Sequence, residues 1–171
     1  TTQGQLNELE QMNILEAEKW VGRQTFRFDP IVDVIFIKKL HQRMFHKTWR
    51  WSGEFRRSNK NIGVDWLSIP VELKILTDDL KFQIANKTYS TDEIAARFHH
   101  RLVAIHPFAN GNGRHARLMT DIVLLSQKAK RFTWGRAELL AKPTVVRQQY
   151  IVALRAADRM DYSLLMALVR K

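Results

Sequence analysis

Apolar residues recur every three to four positions through most of this 171-residue chain, and that period limits its fold more than any other feature. From Gln5 to Val21, Leu6, Leu9, Met12, Asn13, Leu15 and Trp20 sit among acids, the pattern of an amphipathic helix. Asp29-Pro30 supplies a helix start, and Ile31, Val34, Ile35, Ile37, Leu40 and Met44 carry that helix to about His46. Pro70 opens the next, with Val71, Leu73, Leu76, Leu80 and Ile84 at helical spacing. Ser90 and Glu93 form a capping box for a helix reaching about Ile105, with Ile94, Phe98 and Leu102 inward. Arg114 to about Ser126, Thr144 to Ala157 and Asp161 to Arg170 complete the set, the last two opening on capping residues. Residues 54–69 break the period. They contain Ser58-Asn59-Lys60-Asn61 and Gly63 and alternate loosely from Ile62 to Ile69, which predicts a short hairpin. The expected fold class is all-α, a helical bundle with one small β-hairpin.

Composition narrows the function. Hydrophobic residues make up 45%, so the chain can bury a real core and is not a disordered basic tail. No apolar run approaches the roughly 18 residues of a membrane span, so no membrane partner is expected. With no cysteine there is no disulfide framework, zinc ribbon or thiol nucleophile, which suits a cytoplasmic setting. No signal-peptide pattern opens the chain. The formal charge of +11 is spread without a block of five or six like charges, and no nucleic-acid-binding motif accompanies it. Nucleic acid is therefore not the expected partner, and a solvated basic surface or an acidic partner explains the charge equally well. The sequence leaves a homo-oligomer open.

The chemistry is concentrated in His106-Pro107-Phe108-Ala109-Asn110-Gly111-Asn112-Gly113-Arg114-His115-Ala116-Arg117. It reads as a helix end, a turn set by Pro107, two glycines and a new helix. Glycines let backbone amides approach an anion closely, and a helix N-terminus favours negative charge. Arg114 and Arg117 are three apart and share one helical face, where guanidinium forks match phosphate geometry. His106 titrates near neutrality in its ordinary state, as a general base must. No Gly-Lys-Ser/Thr follows and no strand precedes, so this is not a P-loop. A base, an anion nest and two arginines describe a phosphoryl- or nucleotidyl-transfer site.

His-Pro-Phe-x-x-Gly-Asn-Gly-Arg-x-x-Arg resembles the signature of the Fic family, whose characterised members transfer AMP from ATP to a protein hydroxyl. The wider chain is similar to the Fic group called mobile mystery protein B. The resemblance implies His106 as the base that deprotonates a Ser, Thr or Tyr hydroxyl and Phe108 as the loop's anchor in the core. Gly111, Asn112 and Gly113 would form the anion hole, with the Asn112 side chain assisting. Arg114 would neutralise charge near the transferred phosphate and Arg117 would hold the γ-phosphate. Family members commonly carry Asp or Glu where this chain has Asn110. That carboxylate binds Mg²⁺, so weaker metal binding is expected here. Gly113 replaces the Lys of the kinase-like Doc branch, which favours AMP transfer.

The same resemblance makes 54–69 the flap that aligns an extended target segment by strand pairing, with Ile62, Val64 and Trp66 as contacts. Gly53 and Arg56 match a Gly-x-x-Arg feature often found before the flap. Residues 1–22 would be an inhibitory helix and 23–171 the catalytic core. Leu6-Asn7-Glu8-Leu9-Glu10-Gln11 overlies a degenerate inhibitory motif that puts Glu10 against Arg117. His99, His100, His106 and His115 lack zinc-site spacing, and His99 and His100 are expected to be helix residues that support the loop. Trp49, Trp51 and Trp134 are expected in the core or at an interface. The leading expectation is a protein adenylyltransferase acting with ATP and Mg²⁺ on an unidentified target protein. A nucleotide-binding module without turnover and a kinase or phosphocholine transferase on the same fold are the alternatives.

Overall fold

The computed structural model describes residues 2–136 and 143–171. Among these, eight α-helices are present: α1 (Gln3–Gly22), α2 (Phe28–Ile31), α3 (Val34–Phe45), α4 (Ile69–Asn86), α5 (Thr91–Ile105), α6 (Asn112–Ser126), α7 (Pro143–Ala157) and α8 (Ser163–Val169). The all-helical expectation holds. The hairpin does not form: no strand occurs among the described residues, and 54–65 is irregular, ending in a 3₁₀ turn at Trp66–Ser68. Side chains close this segment in place of a ladder. Asn59 Oδ1 accepts from Trp66 N–H (2.9 Å), Asp65 Oδ1 accepts from Leu67 N–H (2.9 Å), and Gly63 turns the chain at φ +100°.

The helix expected from Asp29-Pro30 to His46 is two pieces. Asp33 adopts extended backbone and its carboxylate accepts from Ile35 N–H (2.6 Å), so it caps α3. Ser90 caps α5 as expected, accepting from Glu93 N–H (3.2 Å), but Glu93 turns to Arg97 (2.9 Å) and closes only half the box. An unforeseen capping box opens α1, where Thr2 and Gln5 bond reciprocally (3.2 and 2.9 Å).

α5 packs between α4 and α6, α1 lies on α3, and α7 pairs with α8. The main core joins Ile37, Leu40 and Phe45 of α3 to Leu73 and Leu80 of α4, Leu102 and Ile105 of α5, and Met119 and Ile122 of α6. A second core gathers Phe132, Trp134, Ala153 and Leu165 around Ala95, Ala96 and Leu124. α1 buries only part of its predicted stripe, with Asn13 inside and Trp20 packed against the core. Leu9, Met12 and Leu15 are exposed, while Asn13, Ala17 and Val21 face inward. Asn13 reaches the end of α3, where its Oδ1 accepts from Lys47 N–H (2.9 Å) and its Nδ2 donates to the Arg43 carbonyl (3.3 Å).

A part-buried ion cluster centred on Asp121 ties α1 to the second half of the chain. Asp121, 2% exposed, accepts from Arg131 Nε (2.9 Å) and Trp134 Nε1 (3.0 Å), and Arg131 also donates to Glu18 (2.8 Å). Burial raises the Asp121 carboxyl above its ordinary range, and the Arg131 charge and hydrogen bonds oppose that rise. Removing the guanidinium leaves Asp121 without its ionic partner. Arg131→Leu is expected to cost about 3 kcal/mol in urea unfolding at neutral pH. A loss under about 1 kcal/mol would mean the cluster does not hold the two halves together.

Candidate active site

The loop between α5 and α6 is built around a buried peg. Phe108 is fully buried and stacks on His41 (ring centroids 3.8 Å apart, planes 18° apart), with His115 edge-on at 5.0 Å. Asn112 locks the peg: its Oδ1 accepts from Phe108 N–H (2.9 Å) and its Nδ2 donates to the Phe108 carbonyl (2.8 Å). The Asn112 side chain is thus committed to the loop and does not assist an anion hole; only its backbone N–H remains for that use.

His41 was not anticipated. It is fully buried, takes Gly53 N–H on Nδ1 (2.9 Å) and presents Nε2–H to the Asn110 carbonyl (3.0 Å). The pair of bonds fixes the neutral tautomer. Burial lowers its pKa to about 4, against the raising effect of the Asn110 hydrogen bond. The available signal was a histidine on the apolar face of α3, flanked by Ile37, Leu40 and Met44.

Gly111 caps α6 in left-handed backbone (φ +80°), and a Cβ there would lie 2.6 Å from the Phe45 ring. Its own N–H is taken by Asn110 Oδ1 (2.7 Å), so Gly111 does not offer an amide to an anion in this structure. The first hydrogen bond of α6 runs from His115 N–H to the Gly111 carbonyl (2.9 Å), which leaves the amides of Asn112, Gly113 and Arg114 unused by the helix. A Cβ on Gly113 would meet nothing within 4 Å, so open space stands over those amides.

His106 ends α5 in left-handed backbone (φ 53°, ψ 61°). It shares a cleft of about 840 Å³ with Asn110, Gly113, Arg114, Arg117 and Ile62. Its Nδ1 is buried with no partner among the described residues. Burial, then the Arg56 and Lys60 charges, hold its pKa below the ordinary histidine range, so the ring is neutral at pH 7 and can accept a proton. Val64 is half-buried against the core, whereas Ile62 is exposed and Trp66 is 37% exposed at the start of the 3₁₀ turn.

Glu10 does reach the signature arginines, but it pairs with Arg114 and not with Arg117. One turn separates the two guanidinium groups. Arg117 instead lies over the Tyr150 ring at 5.5 Å, and Tyr150 bonds through its hydroxyl to buried His99 (2.7 Å). Asn110 offers little to a metal, since its Oδ1 is engaged by Gly111. No cluster of three or more His, Cys, Asp or Glu that could hold one exists among the described residues. His99 and His115 are fully buried, and His100 pairs with Asp158 (2.7 Å). No described helix is long and apolar enough to cross a membrane.

Residues 31–124 match the Fic/DOC family. The chain belongs to that family. It is 30% identical over 113 residues to a protein adenylyltransferase Fic of Aedes aegypti, covering 64% of this chain and 23% of the relative. The corresponding protein of Drosophila willistoni is 35% identical over 94 residues, covering 52% of this chain and 19% of the relative. This chain therefore spans about a quarter or less of those relatives. Among solved structures, Fic-1 of C. elegans superposes with a TM-score of 0.77 at 20% identity, covering 96% of this chain and 48% of that one. BepC of Bartonella tribocorum, with bound AMPPNP, gives 0.72 at 21% identity and covers 99% and 86%. A Bartonella quintana Fic domain with bound ADP gives 0.72 at 22% identity and covers 99% and 85%. These superpositions establish the Fic fold for the chain as a whole.

The neutral buried histidines give the Fic core a pH limit. His41 is lowered to about 4, and His99 and His115 to about 3, chiefly by burial. In the unfolded chain all three take up protons below about pH 6.5, while the folded chain does not. Stability therefore falls as pH drops from about 6.5 toward 4, by up to about 4 kcal/mol per pH unit for three groups. Urea midpoints at pH 7, 6 and 5 should decline steadily, and a flat profile across that window would contradict the neutral assignments.

Proposed function

We propose that the chain is the catalytic unit of a protein adenylyltransferase. It moves AMP from ATP to a Ser, Thr or Tyr hydroxyl of a target protein. The observation that carries this reading is the convergence in one cleft of a neutral His106, the free first-turn amides of α6 and two arginines on one helical face. The named activity of the curated relatives and the nucleotides held by the solved ones support it.

Buried Nδ1 leaves Nε2 of His106 to take the hydroxyl proton. The hydroxyl oxygen then bonds to the α-phosphorus as the bond from that phosphorus to the β-bridging oxygen breaks, and pyrophosphate departs. The amides of Asn112, Gly113 and Arg114 would face the phosphate oxygens, and Arg114 and Arg117 would neutralise charge on the transferred and leaving groups. The residues present do not form a magnesium site of their own, because Asn110 supplies no charge and its oxygen is occupied. Mg²⁺ would come bound to the ATP phosphates and water.

Residues 54–69 serve as the flap, with Ile62 and Trp66 toward the target and Val64 turned instead against the core, and 1–22 serve as a brake on a core of 23–171. The brake acts through Arg114: a carboxylate on the first arginine competes with the phosphate that arginine would hold. That contact also favours a second reading, a nucleotide-binding module that does not turn over.

Incubation with α- or γ-labelled ATP separates the readings. Label is expected on protein from the α-phosphate only, and His106→Ala should cut it by a factor of about 10² or more. Transfer of the γ-label would instead show a kinase, and undiminished transfer by His106→Ala would remove the histidine from the mechanism. Glu10→Gly frees Arg114 and is expected to raise self-labelling at least tenfold. ATP binding by Glu10→Gly with no transfer would establish the binding module.

A further inference from the structure

Arg56 is the least exposed arginine of the described chain at 4%, and all its hydrogen bonds go to main-chain carbonyls. Nε donates to His106 (2.6 Å), one terminal nitrogen to Ser58 (2.9 Å), and the other to Val64 and Ile105 (3.3 Å to the latter). The guanidinium therefore binds the carbonyl end of α5, where a helix favours positive charge, and both sides of the flap at once. Two main-chain bonds reinforce the join: Arg56 N–H to the Pro107 carbonyl (2.9 Å) and Val64 N–H to the Ile105 carbonyl (3.3 Å).

An independent observation shows how tight the join is. Gly63 presses on the same place, and a Cβ there would lie 2.7 Å from the Arg56 guanidinium, 2.8 Å from His106 Cβ and 3.2 Å from the Ile105 carbonyl. The last two cannot swing aside. His106 itself is held in left-handed backbone (φ 53°), which is unfavourable for a non-glycine residue and persists where neighbours enforce it.

We propose that Arg56 is a positioning residue that fixes the flap and the base as one rigid unit. It sets where a target hydroxyl laid along the flap meets the His106 imidazole. This rests on the reading of His106 as the base and adds to it the residue that registers target against base. Arg56 touches neither nucleotide nor target. The planar fork is required, because a lysine ammonium cannot span carbonyls from two segments in one plane.

The test uses the full chain carrying Glu10→Gly, with self-labelling from α-labelled ATP, calorimetric ATP affinity, and NMR titration of the His106 ring. The charges facing that ring are Arg56 and Lys60 from the flap, with Asp65 facing the guanidinium and Arg114 and Arg117 across the cleft. Three variants divide charge from position. Arg56→Met removes both, Arg56→Lys keeps the charge without the fork, and Gly63→Ala keeps Arg56 but forces the flap off His106. All three are expected to lose labelling roughly tenfold or more. ATP affinity should stay within about twofold, because none of them touches the α6 N-terminus. His106 is expected to titrate at higher pH in Arg56→Met than in the parent, where burial and the guanidinium hold it down.

Labelling by Gly63→Ala or Arg56→Lys within twofold of the parent overturns the proposal, as does an unchanged His106 titration in Arg56→Met. If Arg56→Met does not fold, the other two variants decide the matter through the split between labelling and ATP affinity. A parent that binds ATP but labels nothing would count against AMP transfer. The His106 titration, together with faster amide exchange at Val64 in Gly63→Ala, would still report whether flap and base are joined.

Discussion

Everything in the cleft depends on one stacked pair, the fully buried rings of His41 and Phe108. Phe108 gives the loop between α5 and α6 its burial, and His41 gives it direction by bonding the Asn110 carbonyl on one side and Gly53 N–H on the other. A purely apolar residue at position 41 would fill the same space and take away the partner of two part-buried main-chain groups, at about 1 kcal/mol each. The imidazole must stay neutral, since a second ring proton would confront the Gly53 amide with no acceptor. The low pKa and the hydrogen-bond pattern are therefore the same constraint stated twice.

The acidic first helix is best understood against the basic body it covers. α1 joins the core through Ala17 and Val21, with Ile14 and Trp20 packed against it and Asn13 buried, while Leu9, Met12 and Leu15 face out. It is held by polar links along its length, Glu10 to Arg114, Glu16 to Lys47, Asn13 to the end of α3, and Glu18 to Arg131. The exposed Glu16–Lys47 pair contributes little. The part-buried links do more, and they share a property that apolar packing lacks: each can be exchanged for another anion or for water. Ile14, Ala17, Trp20 and Val21 give its C-terminal half an apolar seat as well, so the polar links are the part of the attachment that anions and water can replace.

Sequence reasoning recovered the elements whose physics is local. Helical period located α4, α5 and α6, Ser90 announced the start of α5, and Gly111 fell where left-handed backbone and the Phe45 ring exclude any side chain. It failed where the answer depended on a distant partner. The period placed only part of the inward face of α1, Asn13 and Trp20, because the seat of that helix is also set by Arg114, Lys47 and Arg131, more than 30 residues away. Ile62 to Ile69 alternates, yet no strand pairs with it among the described residues. Asn59, Asp65 and Arg56 bond the segment more cheaply than a two-stranded ladder with a glycine at its centre. Asn112 was legible as a loop residue, but only the structure shows its amide spent on Phe108.

The irregular flap has a consequence for how a target would bind. A formed hairpin would satisfy most of its own main-chain groups and leave one edge free. Here Arg56 takes the carbonyls of Ser58 and Val64, and the Val64 and Trp66 amides are also engaged, so the points fixed to the protein alternate with stretches that are not. Residues 60–63 lie between these anchors, exposed, with Lys60 and Ile62 outward and Ile62 on the cleft that holds His106. Their ends are fixed, so the entropy of ordering them is already largely spent before a partner arrives. An extended peptide added there meets a short, pre-set run of backbone whose distance to the imidazole is governed by one guanidinium.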